Sequence, residues 1–316
     1  MQPWHITFLD QGTIPPHIQW EAPDFAHVWQ AHHNTSPDAV VERLQNTDIA
    51  ITNKVVLDRA VLTQCPKLKY VQVSATGMNN VDIDACRELG IGVGNVQGYA
   101  RHAVPEWVVG QLFSLVQSHT AYRRIQEARG WLDSEFFALR TAPVREVRTM
   151  TVGILGRGAI GQGVADRLQA MGSNVLFLER PTAGKVRSGY HDLNATLPTL
   201  DALVLCCPLT DDNAGMVNSV FLQRMKPGAL LLNPSRGGLV NEADLVQAIS
   251  SGHLGGVALD VVSAEPLRAE NPLCAVMDEP NVIITPHIAW SSDEAITALM
   301  AQVITRINAF VTTYQG

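Results

Sequence analysis

The stretch TVGILGRGAIGQGVADRLQAMGSNVLFLE, residues 151–179, decides the fold of this 316-residue chain. It opens with an apolar, β-branched run that is typical of a buried strand. Gly156, Gly158 and Gly161 then form the pattern G-x-G-x-x-G, and a helical pattern with apolar residues four apart follows. A second apolar run ends at Glu179. The stretch therefore predicts a strand, a glycine-rich turn, a helix and a second strand, in the order that binds a dinucleotide.

Each part of this turn has a physical role. Gly156 permits the tight turn, Gly158 lets the backbone approach a pyrophosphate, and Gly161 lets the helix pack closely on the strand. The N–H groups that begin the helix offer partial positive charge to the phosphates. Glu179 lies about 20 residues beyond the first glycine, where an acid accepts hydrogen bonds from the adenosine ribose. Because all these parts occur in order, three chance glycines are a poor explanation of the pattern.

Length and composition limit the class of protein. A chain of 316 residues with 46% hydrophobic and 17% charged residues is expected to fold into two packed domains. The net charge of −7, without a basic cluster, argues against nucleic acid or a membrane surface as a partner. We see neither a signal peptide nor an apolar stretch of about 20 residues, and therefore expect a cytoplasmic protein. The five cysteines have no C-x-x-C spacing, so we expect buried thiols and no metal site.

Strand and helix patterns alternate on both sides of the glycine-rich turn. Residues 1–100 predict one parallel sheet and residues after 150 predict another, which is an α/β fold of two doubly wound sheets. We place a discontinuous, flavodoxin-like substrate domain at residues 1–100 and 288–316. A Rossmann dinucleotide-binding domain at residues 101–287 is inserted into it, since the last helical pattern is expected to return to the first domain.

Two segments precede the second sheet. Residues 103–119 have the apolar pattern of a long helix, whereas residues 123–150 are more polar and irregular. Trp131, Phe136 and Phe137 lie on the irregular segment, and we expect them to belong either to an interface or to the core. If the segment is a surface arm, its exposed aromatic residues suggest a partner subunit.

Polar residues that follow the later strands are candidates for chemistry, because ligands of doubly wound sheets bind beyond the carboxyl ends of strands. Three of them are complementary: Arg236, Glu265 and His287. A histidine transfers protons near neutral pH, a neighbouring carboxylate favours its imidazolium form, and a guanidinium binds a carboxylate through two hydrogen bonds. With a nicotinamide nearby, these groups suit reduction of a 2-oxo acid. The six predicted strands of this domain end at Gly156, Glu179, Cys207, Asn233, Asp260 and Thr285.

Each of these three residues also has an ordinary explanation. Arg236 could form a surface ion pair, Glu265 could begin a helix before a proline, and His287 could be a hydrogen-bonded loop histidine. Their succession at one edge of the sheet favours the functional interpretation.

The sequence resembles the D-isomer-specific 2-hydroxyacid dehydrogenase family over nearly its whole length. Within the family it is most similar to the glycerate dehydrogenase or hydroxypyruvate/glyoxylate reductase branch. The motifs that carry the resemblance are SATGMNNVDIDACRELGIGVGNV (74–96), VPEW (104–107), LGRGAIG (155–161), CCPLT (206–210), NPSRGGLVNE (233–242), LDVVSAEP (259–266) and TPHIAW (285–290).

The resemblance implies roles for particular residues and a homodimeric enzyme. Arg236 would orient the substrate, Glu265 would assist, and His287 would be the acid–base residue. Further substrate contacts would come from Ser74, Ala75, Thr76, Gly77 and Trp290. Cofactor contacts would come from Gly156, Arg157, Gly158, Ala159, Ile160, Gly161, Glu179, Cys207, Pro208, Asn213, Pro234, Ser235 and Asp260.

The sequence leaves alternatives open for both the cofactor and the exact reaction. Glu179 repels a 2′-phosphate and favours NAD, whereas Arg157 and Arg180 could hold the phosphate of NADP. Pro234-Ser235 departs from the commoner Thr-Ala of the family and is similar to a phosphite dehydrogenase branch. A third reading is a non-catalytic, NAD(H)-sensing interaction protein on the same fold.

Overall fold

A computed structural model describes residues 2–132, 134–180 and 184–314. The chain divides into two compact units, residues 1–100 with 291–316, and residues 101–290. The second boundary lies three residues beyond the one that we placed after residue 287. Residues 315 and 316 of the expected first domain, and residue 133 of the irregular segment, lie outside the described part.

Both units are built from alternating strands and helices. The strands are β1 (Trp4–Phe8), β2 (His27–Ala31), β3 (Ile49–Thr52), β4 (Tyr70–Val73), β5 (Gly92–Gly94), β6 (Thr151–Leu155), β7 (Asn174–Leu178), β8 (Ala202–Leu205), β9 (Ala229–Asn233), β10 (Leu254–Leu259) and β11 (Val282–Ile284). The α-helices are α1 (Val40–Leu44), α2 (Arg59–Leu62), α3 (Ile83–Glu88), α4 (Ala103–Val116), α5 (His119–Glu127), α6 (Ala159–Ala170), α7 (Leu193–Thr196), α8 (Ser219–Arg224), α9 (Glu242–Ser250) and α10 (Asp293–Thr313). Short 3₁₀ helices are Gln11–Thr13, Pro37–Ala39, Val147–Thr149, Leu197–Thr199, Asp211–Asn213, Gly237–Leu239 and Pro272–Ala275.

The first unit contains a five-stranded parallel sheet in the order β2-β1-β3-β4-β5. Its central strands β3 and β4 are buried at every position, which is why their sequences are continuous apolar runs. Helix α10 packs on this unit, and Phe310 stacks on Tyr70 with ring centroids 4.3 Å apart. The α/β class that we expected for residues 1–100 is confirmed.

Helix α10 differs from our expectation about membrane-spanning segments. It has 21 residues, and its most apolar window has a mean hydropathy of 1.3, so its length and composition would allow it to cross a membrane. Seven of its side chains are nevertheless buried: Ala295, Ile296, Leu299, Met300, Val303, Ile304 and Ile307. We interpret α10 as a core helix of the first unit, whose apolar character comes from packing.

The second unit contains a six-stranded parallel sheet in the order β11-β10-β9-β8-β6-β7. A single parallel bridge joins Leu178 to His191 at the outer edge of β7. All six predicted strands are present, and helices connect successive strands. Strands β9, β10 and β11 are neighbours, so the loops that follow them share one edge of the sheet.

The segment before this sheet is more helical than its sequence predicts. The expected helix at residues 103–119 ends at Val116, because Ser118 adopts the left-handed conformation with φ +54°. Helix α5 then occupies the start of the segment that we expected to be irregular. The aromatic residues that follow are exposed, by 62% for Trp131, 71% for Phe136 and 92% for Phe137.

Candidate active site

A carboxylate and an imidazole meet at the edge of the sheet where β10 and β11 end. Glu265 Oε2 lies 2.7 Å from His287 Nδ1. The other carboxylate oxygen, Oε1, accepts a hydrogen bond of 3.2 Å from the backbone N–H of Val262. Glu265 is therefore held by its own loop while it fixes the orientation of the imidazole ring through Nδ1.

The backbone of His287 is also constrained. His287 has φ +54°, and its N–H donates to the carbonyl oxygen of Asp260 at 2.9 Å. The Asp260 carboxylate accepts hydrogen bonds of 2.8 Å from the N–H groups of both Ile288 and Ala289. Burial raises the pKa of Asp260, while the hydrogen bonds of Thr285 and of these two N–H groups act in the opposite direction. Asp260 thus fastens the loop that carries His287 to the end of β10.

A tryptophan of α4 extends this hydrogen-bond chain. Trp107 Nε1 donates to Thr285 Oγ1 at 3.1 Å, and Thr285 Oγ1 donates to Asp260 Oδ1 at 2.6 Å. The sequence motifs contain both residues, but nothing in the sequence indicates that they contact each other. The chain joins α4 to the His287 loop within the second unit.

Arg236 follows β9, the neighbour of β10. Its loop is held by the buried Asn233, whose side chain donates to Arg236 O at 2.9 Å and accepts from Ser235 N at 3.0 Å. The guanidinium is exposed, and its Nη1 donates to Ser235 O at 2.7 Å. A side chain at Gly237 would come within 2.0 Å of the Val262 backbone. The loop that carries Arg236 therefore packs directly on the loop that carries Glu265.

A second buried acid, Glu242, supports the loop that carries Glu265. Glu242, at the start of α9, accepts hydrogen bonds of 2.6 Å from both the N–H and the hydroxyl of Ser263. It also accepts one of 2.8 Å from Asn271 Nδ2. In the sequence, Glu242 is only the last residue of the motif NPSRGGLVNE. Its position in the first turn of a capped helix is the sequence feature that could have indicated its supporting role.

The glycine-rich turn fits a dinucleotide. Helix α6 begins after Gly158, and no side chain caps the N–H groups of its first turn. The space beside Gly158 is open, since a Cβ added there would meet nothing within 4 Å. By contrast, a Cβ at Gly161 would lie 1.9 Å from Gly156 O, and Gly156 itself has φ +111°. The close packing and the uncapped N–H groups match the requirements of a pyrophosphate site. Arg157, Ala159 and Ile160 occupy the turn and the first residues of α6, as we expected.

The other predicted cofactor residues lie after β7, β8, β9 and β10 of the same sheet. Cys207 is buried, and burial raises the pKa of its thiol. Asn213 stabilises the loop after β8, since its side chain donates to Pro208 O at 2.9 Å and accepts from Thr210 N at 2.7 Å. Glu179, at the end of β7, is paired with an arginine that sequence analysis did not consider, Arg187.

The predicted substrate residues fall in both units. Residues 74–77 follow β4 in the first unit, and the buried hydroxyl of Ser74 has no hydrogen-bond partner within residues 2–132, 134–180 and 184–314. Trp290 is half-buried at the end of the second unit.

This chain is similar to known proteins in both sequence and fold. The family model "D-isomer specific 2-hydroxyacid dehydrogenase, NAD binding domain" matches residues 109–289. A glycerate dehydrogenase of Methylorubrum extorquens is 38% identical over 308 residues, which is 97% of this chain and 96% of the relative.

The chain belongs to the D-isomer-specific 2-hydroxyacid dehydrogenase family.

A hydroxypyruvate reductase of Blautia hydrogenotrophica is 32% identical over 313 residues, which is 97% of this chain and 96% of the relative. The crystal structure of an Aquifex aeolicus D-lactate dehydrogenase, complexed with NAD and lactic acid, superimposes with a TM-score of 0.81 at 23% identity. That match covers 98% of this chain and 95% of the other. The chain is thus an NAD-dependent oxidoreductase that interconverts 2-hydroxy and 2-oxo acids, and the comparisons favour neither the sensing protein nor a phosphite dehydrogenase.

Replacement of Glu265 by Gln is expected to lower the rate at which a 2-oxo acid is reduced. The variant keeps an oxygen near His287 Nδ1 but removes the carboxylate that lies 2.7 Å from the imidazole in the wild-type protein. We expect kcat to fall at least about tenfold, because a positioned general acid contributes about 10²–10⁴-fold and Glu265 orients the group proposed for that role. Steady-state rates of reduction and the dissociation constant of NADH test this, and an unchanged kcat would contradict the role of Glu265.

Proposed function

We propose that this protein reduces a small 2-oxo acid with NADH, and that hydroxypyruvate or glyoxylate is its substrate. The observation that carries the proposal is the 2.7 Å contact between Glu265 Oε2 and His287 Nδ1 in the unit that also carries the glycine-rich turn. The names of the two relatives, glycerate dehydrogenase and hydroxypyruvate reductase, support hydroxypyruvate as the first substrate to test.

In this proposal His287 is the general acid. NADH, when bound, supplies the hydride that adds to the carbonyl carbon of the substrate. His287 donates a proton from Nε2 to the carbonyl oxygen, because Nδ1 is engaged by Glu265. Glu265 stabilises the imidazolium before transfer, and Asp260 keeps the loop of His287 in position through its three backbone contacts.

Arg236 binds the substrate carboxylate. An exposed guanidinium at the same edge of the sheet can form two parallel hydrogen bonds with a carboxylate, which fixes both the position and the orientation of the substrate. Ser74, Ala75, Thr76, Gly77 and Trp290 are further proposed substrate contacts.

The proposed cofactor site uses the glycine-rich turn and the loops after β7, β8, β9 and β10. Backbone N–H groups at the start of α6 bind the pyrophosphate, and the buried loop residues shape the nicotinamide end. The proposed cofactor contacts are Gly156, Arg157, Gly158, Ala159, Ile160, Gly161, Cys207, Pro208, Asn213, Pro234, Ser235 and Asp260. Glu179 belongs to the ribose end of this site through its pair with Arg187.

A panel of 2-oxo acids tests the substrate. Purified protein is mixed with NADH and, in separate reactions, with hydroxypyruvate, glyoxylate, pyruvate, phenylpyruvate and 2-oxoisocaproate, and the absorbance of NADH is followed. We expect the highest kcat/KM for hydroxypyruvate or glyoxylate. Turnover of only the larger acids would refute this substrate assignment but not the family, and turnover of none would refute both proposals on substrate and mechanism.

We also propose a homodimer in the cytoplasm. Trp131, Leu132, Phe136 and Phe137 are 62–92% exposed on one segment, and such a patch is typical of a protein interface. All five cysteines are free, which suits a reducing compartment.

The exposed segment gives a prediction about assembly. Replacement of Phe137 by Ser is expected to raise the dimer dissociation constant at least about tenfold, because aromatic residues dominate interface energies. Sedimentation velocity at several concentrations measures this constant. Val220→Ser, which removes a 66% exposed side chain from α8, is the matched control and should leave assembly unchanged. A wild-type protein that stays monomeric at all concentrations would refute the dimer.

A further inference from the structure

The acid expected to bind the adenosine ribose is already saturated by hydrogen bonds. Glu179 Oε1 accepts from Arg180 N at 3.0 Å and from Arg187 Nη2 at 2.7 Å. Glu179 Oε2 accepts from Arg187 N at 3.1 Å and from Arg187 Nε at 2.7 Å. A carboxylate has about four acceptor positions, and these four donors fill them. The side chain of Glu179 is only 3% exposed, so ribose hydroxyls reach its oxygens only by displacing Arg187.

Arg187 carries the exposed charge of this pair. Its side chain is 55% exposed, and its guanidinium lies 4.2 Å from the centroid of the Tyr190 ring. The arginine holds the pKa of Glu179 at about 2, and Glu179 in turn raises the pKa of Arg187, so both groups are charged at neutral pH. A bidentate carboxylate contact and an aromatic face together fix the guanidinium plane. Arg187 therefore presents a positioned cation where the sequence predicted a free acid.

The neighbouring arginine and the adjoining cavity support a site for an anion. Arg157 lies over the Phe177 ring at 4.6 Å, on the side of the glycine-rich turn. Beyond Glu179 is a cavity of about 160 Å³, lined by Glu179, Arg180, Lys185 and Asp192 among other residues. With Arg157 and Arg187, the described residues at this end of the sheet include four cations against two carboxylates. One of those carboxylates, Asp192, already caps α7 through Ala195 N at 2.7 Å.

We propose that Arg187 is the specificity-determining residue at the adenosine ribose and that its pair with Glu179 admits a 2′-phosphate. The protein then binds NADP(H) as well as NAD(H). Glu179 does not repel the phosphate, because its charge is neutralised by Arg187, and the guanidinium can bind phosphate oxygens. The inference rests on the proposed position of the cofactor at the glycine-rich turn, but not on the identity of the 2-oxo acid.

Binding measurements without any 2-oxo acid test this inference. NADPH and NADH are titrated by fluorescence, and 2′,5′-ADP and ADP are titrated by calorimetry. In the wild-type protein we expect dissociation constants for NADPH and NADH within about tenfold of each other. In Arg187→Ala we expect NADPH and 2′,5′-ADP to bind at least about tenfold more weakly, a change of about 1.4 kcal/mol, while NADH and ADP bind equally or more tightly.

Three further variants make the test decisive. Glu179→Gln removes the charge that pairs with Arg187 and leaves more of the guanidinium free for a phosphate, so we expect stronger NADPH binding. We expect no loss of NADH binding, because both oxygens of Glu179 are already engaged by Arg180 and Arg187. Arg148→Ala, which breaks an exposed arginine–glutamate pair with Glu146, is the matched control and should change neither constant. If Arg187→Ala does not fold, Arg187→Lys keeps the charge, loses the bidentate contact and is expected to have an intermediate preference.

Several results would overturn the inference. They are a wild-type preference for NADH above about a hundredfold, an equal loss of both cofactors in Arg187→Ala, or a weaker NADH affinity in Glu179→Gln. These outcomes are independent of turnover. Failure of the 2-oxo acid panel together with the expected binding pattern would refute the proposed substrate and mechanism but not this inference.

Discussion

Replacement of His287 by Asn is expected to lower kcat for reduction of the 2-oxo acid by about 10²–10⁴-fold, the usual contribution of a general acid. Asn is the appropriate substitute because its side chain can still donate to Glu265. It also tolerates the left-handed conformation that His287 adopts at φ +54°. The loop should therefore keep its shape while the proton donor is lost, and stopped-flow or steady-state NADH oxidation measures the change.

The controls for this variant separate chemistry from binding and folding. The dissociation constant of NADH and the melting temperature should stay near those of the wild-type protein. His119→Asn, at an exposed histidine of α5 in the same unit, should retain full activity. A loss of less than tenfold in His287→Asn would mean that the proton comes from another group.

Replacement of Arg236 by Gln is expected to lower kcat/KM by about 10²-fold or more. Hydrogen bonds to charged groups contribute about 1.5–3 kcal/mol each, and the guanidinium is proposed to form two of them with the substrate carboxylate. Because the side chain is exposed and bonds only to the adjacent Ser235 O in the described contacts, stability should change by no more than about 0.5 kcal/mol. Steady-state kinetics with hydroxypyruvate and thermal unfolding measure the two quantities.

The matched control is another exposed arginine of the same unit. Arg224 donates to the side chain and carbonyl oxygen of Asn194, and neither of these described contacts involves the loops after β9, β10 and β11. Arg224→Gln should leave kcat/KM within about a factor of two of the wild-type value, because most substitutions of exposed residues have small effects. Equal losses in the two variants would show that Arg236 has no specific role in substrate binding.

The sheet of the second unit could be predicted from sequence because its strands are continuous apolar runs. Buried parallel strands are apolar on both faces, so β6 to β11 stand out between polar turns. The first unit was harder. Strand β2 has the sequence HVWQA and lies at the sheet edge with partly exposed side chains, so it lacks an apolar run. Helix α5 was missed because most of its nine residues are polar and none is buried, so it lacks the apolar content of a core helix.

The residues of the candidate site could be selected from the sequence, but the contacts between them and their supporting residues could not. Arg236, Glu265 and His287 follow adjacent strands, and the motif spacing is enough to select them. Their supports are long-range partners: Trp107 contacts Thr285 across 178 residues of sequence, and Glu242 holds Ser263 across 21. Such pairs depend on how the loops fold back, which no local pattern encodes.

The ion pair of Glu179 with Arg187 is the clearest difference between what the sequence predicts for a residue and what the structure contains. By its position alone, Glu179 is a free acid that favours NAD. In the structure, Arg187 closes back on it from eight residues further along the chain and neutralises its charge. The aromatic ring of Tyr190, which supports Arg187, gave no signal in the sequence because a single tyrosine in a loop has many ordinary explanations.

The most direct measurement is the reduction of hydroxypyruvate by NADH in the wild-type protein and in His287→Asn, with the product analysed by chiral chromatography. We predict that the wild-type protein forms D-glycerate in a one-to-one ratio to the NADH consumed, and that the variant binds NADH normally but forms the product at least about 10²-fold more slowly. Formation of the L isomer, or an undiminished rate in the variant, would contradict a D-specific reduction that depends on the Glu265–His287 pair.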